Sequence, residues 1–468
     1  MTTTRRWMGT CVFGAAILGC SGGAELTEIV EQGVARDKSG GGSDTIAADN
    51  PTGTANTFNV NGAFDFANPF FQSLGTNGRS CSSCHQQTDG WTIIPAHVQQ
   101  RFDATNGTDP IFQTVDGSSS PLSDVSTVAA RRVAYGMLLT KGLIRVGIGV
   151  RDTAEFTLAA VDDPYGFASA AQLSLFRRPL PTTNLAFLTT VMWDGRESAT
   201  TLTVAQSLSN QSNDATLGHA QATMSITDAQ RAQIVLFETG LYTAQVSDLD
   251  VGSLVAQQGG GGPNNLSTQP FFFGINDPLA SGRDAAAFNP SAMTIYPWNA
   301  SSPANPHSKE GKRAAVARGQ AIFGTRQFQV TGVKGLNDML GAPSITATCT
   351  TCHNSPNVGN HSVPLPIDIG LTDEARRTPD LPLYTLRNKT TGEIVKTTDP
   401  GRALITGRWA DIGKFKGPIL RGLPTRAPYF HNGSAASLSD VLDFYEGRFG
   451  VGFTAAERSD LIAFLRTM

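Results

Sequence analysis

Hydrophobic and polar positions in this chain alternate in short stretches broken by Gly, Ser, Thr, Asn and Pro, and few stretches hold a helical period for long. The two clearest lie near the C-terminus. "SLSDVLDFYEGRFG" sets Ser437 as an N-cap with Asp440 three positions on, then Val441, Leu442, Phe444 and Tyr445 on adjacent turns. A hydroxyl cap answered by an acidic side chain three residues later satisfies the free N–H groups at a helix start. "TAAERSDLIAFLRTM" repeats the device with Thr454 and Glu457 ahead of Leu461, Ile462, Phe464 and Leu465. "KRAAVARGQAIFGTRQF" predicts a further helix after the linker "YPWNASSPANPHSKEG", and Asn68–Pro69 reads as a helix start with Gly75 as its stop. No run of alternating residues is long enough to announce a sheet, so the pattern predicts a mainly α fold with long loops.

The N-terminal segment is of another kind. Arg5 and Arg6 precede an apolar stretch from Trp7 to Gly19 and then "ILGC". That is an export signal, too short for a spanning helix. Its ending resembles a bacterial lipobox, which makes Cys20 the acylated first residue of the mature chain; an ordinary cleaved signal with a chance cysteine is the plainer alternative. The expected location is the periplasm or cell envelope, with a lipid anchor in the outer membrane. Residues 21–57, rich in Gly, Ser and Asp, read as a flexible tether.

Six cysteines are present, and beyond Cys11 and Cys20 all of them fall in two pentapeptides, "CSSCH" at Cys81, Cys84 and His85, and "CTTCH" at Cys349, Cys352 and His353. An exported protein spends spare cysteines on disulfides, and none are spare. Structural zinc needs four ligands in a compact unit, whereas these pairs are separated by most of the chain. A redox dithiol needs one CxxC and no following histidine. Thioether attachment of haem c uses every residue: two sulfurs join the vinyl groups and the adjacent imidazole, His85 or His353, ligates the iron. Helix, loop and CxxCH occur twice, the order of two cytochrome c-like haem units. The expected organisation is a signal over 1–20, the tether over 21–57, an N-terminal haem domain with an insertion over 58–302 and a C-terminal haem domain over 303–468. With 468 residues, 16% charged and a net charge of −3, the composition gives no support to nucleic-acid binding.

Four stretches together resemble the bacterial di-haem cytochrome c peroxidase/MauG superfamily: the two CxxCH motifs, "NLAFLTTVMWDGRE" and "RAPYFHNGSAASLSDVLDFY". The resemblance implies an oxidoreductase that reduces hydrogen peroxide with electrons from a small donor cytochrome or cupredoxin. A MauG-like or rubber-oxygenase-like oxidase of an organic or protein substrate and a non-catalytic electron carrier are the alternatives. It implies that Trp193 lies between the haems, against its reading as a core tryptophan. It also implies an inter-domain calcium near Asn184 and the carbonyls of Arg426 and Pro428; Asn184 as a turn-stabilising residue competes.

The chain departs from the peroxidase pattern in three places. Residues 92–180 have no clear counterpart in the small peroxidases. After His353 the one methionine is the terminal Met468, and Tyr445 falls in the register where peroxidases carry a methionine ligand and MauG-like enzymes a tyrosine; His431 and His361 are the other candidates for the second iron. Beyond "WDGR" the sequence supplies Gln206 but no glutamate, leaving Asp214 and His219 as titratable groups. His219 reads as an acid/base, an iron ligand or a surface residue, and His97 as a further candidate ligand of the first iron.

Overall fold

The computed structural model describes residues 43–198, 202–279 and 288–468; the export signal, Cys11, Cys20 and the first part of the expected tether lie outside them. The mainly α expectation is overturned: the described residues are 31% helix and 17% strand, with several antiparallel sheets, a mixed α/β fold.

The strands begin inside the segment read as a tether. β1 (Thr45–Asn50) and β2 (Gly53–Asn59) form a hairpin, and β2 alternates buried and half-buried positions along its whole length. The insertion supplies β3 (Ile144–Ile148), β4 (Phe156–Asp162) and β5 (Leu173–Arg177). β6 (Leu241–Asp248) pairs with β2 and with the two-residue β7 (Gly252–Ser253) to complete a four-stranded sheet in the order β1-β2-β6-β7. β8 (Phe328–Thr331) and β9 (Ser344–Ala347) make a ribbon ahead of the second CxxCH. β10 (Leu383–Asn388) pairs with β11 (Ile394–Thr397) on one side and with β4 on the other.

These strands escaped sequence reading for physical reasons. Each is short, and β5 is buried at all five positions, so it shows no period-two alternation. β4 is exposed over most of its length and is held by a partner from the far half of the chain. Pairing between remote segments leaves no local trace.

Six helices of eleven residues or more are present among the described residues: α1 (Pro95–Thr105), α2 (Val204–Gly218), α3 (Asp228–Thr239), α4 (Lys309–Thr325), α5 (Leu438–Phe449) and α6 (Ala455–Leu465). The caps of α5 and α6 are formed as their sequences predict, Ser437 with Asp440 and Thr454 with Glu457. At Asn68–Pro69 the helix is a single turn, Pro69–Phe71, capped by the Asn68 side chain. α4 packs closely on α6 through Phe323 and Phe464.

Contacts cross the expected boundary at Pro303 extensively. One core cluster joins Leu254, Met293 and Trp298 to Leu442, Leu461 and Phe464. Another joins Phe156, Leu173 and Leu175 of the insertion to Tyr384, Leu386 and Leu404. The insertion thus clamps the two CxxCH-bearing halves by burying apolar surface of both.

Candidate haem centres

Each CxxCH is a tight turn closed by its own side chains. In the first, Ser80 N–H donates to Ser83 Oγ at 3.1 Å and His85 N–H donates to the Cys81 carbonyl at 3.0 Å. In the second, Thr348 N–H donates to Thr351 Oγ1 at 3.0 Å and His353 N–H to the Cys349 carbonyl at 3.0 Å. Each imidazole is then oriented by a backbone carbonyl six residues on: His85 Nδ1 to Trp91 O at 3.0 Å, His353 Nδ1 to Gly359 O at 2.9 Å. A nitrogen that donates to a carbonyl carries the proton, so Nε2 keeps its lone pair, the form a metal-ligating histidine needs. Burial lowers both imidazoles' pKa values, that of His85 to about 4, so both stay neutral. An aromatic ring braces each, Phe70 at 6.4 Å from His85 and Phe323 at 6.0 Å from His353.

The sulfurs are unpaired, on residues that are half-buried, and desolvation pushes all four thiols up, those of Cys349 and Cys352 to about 12. A thiol held protonated by burial is a poor redox nucleophile. The pairs also open into different cavities, so the four sulfurs do not converge. The first cavity encloses about 1460 Å³ of empty space including its mouth and holds Cys81, Cys84 and His85. The second encloses about 1790 Å³ and holds Cys349, Cys352 and His353. A cavity walled mainly by apolar side chains, two sulfurs at its edge and a neutral imidazole with a free Nε2 fit a covalent haem in each case.

One wall belongs to both cavities. Arg178, Pro179, Leu180, Pro181, Trp193, Lys416 and Ile419 line the first and the second alike. Trp193 is fixed by its indole N–H donating to the Arg178 carbonyl at 2.8 Å, and its ring meets His431 edge-on at 6.1 Å.

Opposite the motifs the cavities differ. His219, at the C-terminal end of α2, lines the first, and its Nδ1 contacts Asp116 Oδ2 at 2.5 Å. Asp116, in the insertion, is itself paired with Arg79. Burial pushes that carboxyl up, but its bonds to His219 and Arg79 outweigh burial and hold it low, hence ionised. Gln206 is elsewhere: it accepts the Thr203 N–H as the capping partner at the start of α2 and does not line the cavity, whereas Gln211 does. Asp214 is exposed. His97 is paired with Asp89 and lines neither cavity. Glu238, on α3, is a group sequence reading missed: it lines the first cavity, accepts from Thr182 at 2.7 Å, and leaves Oε2 without a partner.

The second cavity gathers Tyr445, Val441 and Leu442 from α5 together with His431 and His361. His431 lies flat on Phe415, ring centres 4.3 Å apart, with Nδ1 unpartnered. His361 Nδ1 is bound to Leu365 O at 2.9 Å. Burial raises the Tyr445 phenol and lowers both imidazoles to about 4.

The expected calcium residues do not fit a divalent cation. Asn184 is spent on one backbone unit, donating to Thr243 O and accepting from Thr243 N, both at 2.9 Å. The Arg426 carbonyl accepts from the guanidinium of Arg178 at 3.2 Å. The side chains of Arg178 and Arg426 are both buried here, and burial lowers each to about 10. The Arg426 carbonyl, one of the oxygens the expected calcium would use, already serves a cation, and a second guanidinium sits beside it.

No family model matches the chain. It is 32% identical over 142 residues to a cytochrome-c peroxidase, IdrP1, of Pseudomonas sp. (strain SCT), a match covering 26% of this chain and 36% of that one. It is 31% identical over 122 residues to the cytochrome c551 peroxidase of Nitrosomonas europaea, covering 26% and 30%. Over about a quarter of its length the chain is thus similar to curated cytochrome-c peroxidases. It spans about a third of the length of the curated relatives it matches. A solved MauG-like protein associated with microbial copper homeostasis aligns over 85% of both chains at 17% identity with a TM-score of 0.37. No helix among the described residues is long and apolar enough to cross a membrane.

Proposed function

We propose that this chain is an exported peroxidase carrying one covalent haem c at each CxxCH, reducing hydrogen peroxide with electrons from a small donor cytochrome or cupredoxin. The observation that carries the reading is the pair of cavities, each with a neutral, backbone-oriented histidine and two sulfurs, meeting at one wall that contains Trp193. Haem c bound at these sites supplies the redox chemistry of peroxide cleavage. His85 and His353 hold it from one side, and the cysteines fix it covalently. Trp193 spans the wall between the cavities, where a large π-system shortens the path for electrons.

In the first cavity the chain's own acid/base group is His219. Ionised Asp116 holds its Nδ1, which leaves Nε2 to take a proton from one oxygen of peroxide and return it to the other. Glu238 is a second buried carboxyl on the same cavity, raised to about 7 by burial. In the second cavity, Tyr445 is the oxygen donor we assign to the iron, with His431 and His361 as nitrogen alternatives. A tyrosinate there favours ferric iron and supports the MauG-like or rubber-oxygenase-like oxidase as the second reading. We place the protein in the periplasm or cell envelope, held to the outer membrane by lipid on Cys20.

The deciding experiment combines intact mass with a visible spectrum. Two haems per chain, a high-spin ferric band and turnover of peroxide with a reduced donor cytochrome are expected. Two haems that are both low-spin and inert to peroxide would make the chain an electron carrier instead.

A further inference from the structure

The wall shared by the cavities holds two basic side chains, Lys416 and Arg178, and no carboxylate lines it among the described residues. Lys416 is only 8% exposed, lines both cavities, and its ammonium has no hydrogen bond or ion pair among the described residues. Its backbone N–H is fixed to the Trp193 carbonyl at 2.9 Å, so it is seated on the same strip of chain as the inter-cavity tryptophan. Its titratable neighbour is an imidazole, His361, not a carboxylate. Burial alone pulls Lys416 down to about 7.

Arg178 lies on the same wall, with the Asp89 carboxylate near enough to act on it. It is 5% exposed, lines both cavities, and its donors reach only the carbonyls of Lys141, Ile93 and Arg426. Some buried cations of the fold are paired with carboxylates, whereas Arg421 and Arg426 reach only carbonyls. Arg177, the adjacent residue, is bonded to both Asp194 and Asp399, and Arg79 to Asp116. A buried ammonium left without a counter-ion is strongly unfavourable, so Lys416, which lines both cavities on the same wall as Arg178, marks a place for an anion that the polypeptide does not supply.

We propose that Lys416 and Arg178 form a carboxylate-binding wall shared by the two haems, on which an acidic side chain of each cofactor is received. This rests on the reading of one haem per cavity. Haem bears propionate carboxylates, and each cavity needs a cation to receive them; placing the cations in the common wall lets one lysine act on both. Lys416 is a positioning residue here. A positive charge near a haem favours the reduced iron, which carries one positive charge less, so the wall raises both reduction potentials together.

The test uses the full-length holoprotein. Intact mass is measured first for the parent, Lys416→Met, Lys416→Gln and Lys416→Arg. A parent without two haems defeats the reading of function and leaves the wall out of the comparison. With two haems attached, the midpoint potential of each is measured by spectroelectrochemistry. Lys416→Met is expected to lower the reduction equilibrium of both haems about tenfold, or about 59 mV for a one-electron couple. Lys416→Gln, which retains hydrogen bonding and keeps the test open if the methionine variant does not fold, should lower both in the same direction. Lys416→Arg should stay within about a factor of two of the parent.

Unchanged potentials in the neutral variants, or a change confined to one haem, would overturn the proposal. So would a parent whose potentials follow the concentration of added phosphate, because the wall would then be holding a free anion.

Discussion

The two CxxCH sites are built alike on the side that grips and differently on the side that faces it. Both turns are closed by a hydroxyl three residues past the cap, both imidazoles are held by a carbonyl six residues downstream, and both lean on a phenylalanine, Phe70 or Phe323. The facing walls share nothing of this. The first presents His219 backed by ionised Asp116, with Glu238 on the same cavity. The second presents Tyr445, His431 and His361 among apolar and aromatic side chains, and no carboxylate lines it among the described residues. Attachment is therefore the common device, and reactivity belongs to the wall that each half of the chain supplies separately. A site with a proton-handling pair suits peroxide cleavage; a site with a phenol and no acid suits holding oxidising equivalents.

The comparison breaks most completely if attachment is not equivalent. Replacing Cys81 and Cys84 with alanine is expected to remove one covalent haem while the other persists, and replacing Cys349 and Cys352 to do the reverse, read by the mass of the denatured protein. Loss of both from either pair would mean that the sites do not load independently. Next in size is the acid/base pair. His219→Gln should lower peroxide turnover by about 10² or more with both haems attached, and Asp116→Asn by a smaller factor, because the imidazole stays but loses its anchor. Equal turnover in His219→Gln would remove the assigned difference between the walls. Tyr445→Phe sharpens the comparison from the other side: one haem should pass from low-spin to high-spin in the ferric electron paramagnetic resonance spectrum while peroxide turnover at the first site survives. A spectrum identical to the parent's would leave Tyr445 a core residue and direct the search to His431 or His361.

What was legible in the sequence is what is local. The CxxCH turns, the caps at Ser437 and Thr454 and the cavity-facing register of Val441, Leu442 and Tyr445 depend on residues within a turn or two of one another. The sheets were not legible, because β4 finds β10 and β2 finds β6 only across most of the chain. The same distance hid the anchor of His219: Asp116 comes from the insertion, which matched nothing in the motif pattern. Gln206 is the instructive miss. "TVAQ" is itself a capping pattern, Thr203 with Gln206 three later, and the local rule correctly describes what that glutamine does. Lys416 and Glu238 sit in segments without a motif, and nothing but the fold brings them to a cavity.

Glu238 gives the smallest expected effect, and it separates the cavities by pH. Burial raises its carboxyl from an ordinary value of 4.5 to about 7, so the folded chain binds that proton more tightly than the unfolded chain does. Stability gained this way is fully present below about pH 4.5 and is lost as pH rises through 7. Its size is on the order of 3 kcal/mol over the whole window. Thermal unfolding of the holoprotein should therefore show a melting temperature that declines between about pH 5 and pH 8, and Glu238→Gln, which is neutral throughout and retains an acceptor for Thr182, should flatten that decline. Because no carboxylate lines the second cavity, Tyr445→Phe should leave the slope as it is in the parent. A decline that persists unchanged in Glu238→Gln would place the titrating group elsewhere and make Glu238 an ordinary ionised carboxylate, leaving His219 and Asp116 as the whole of the chemical difference between the two walls.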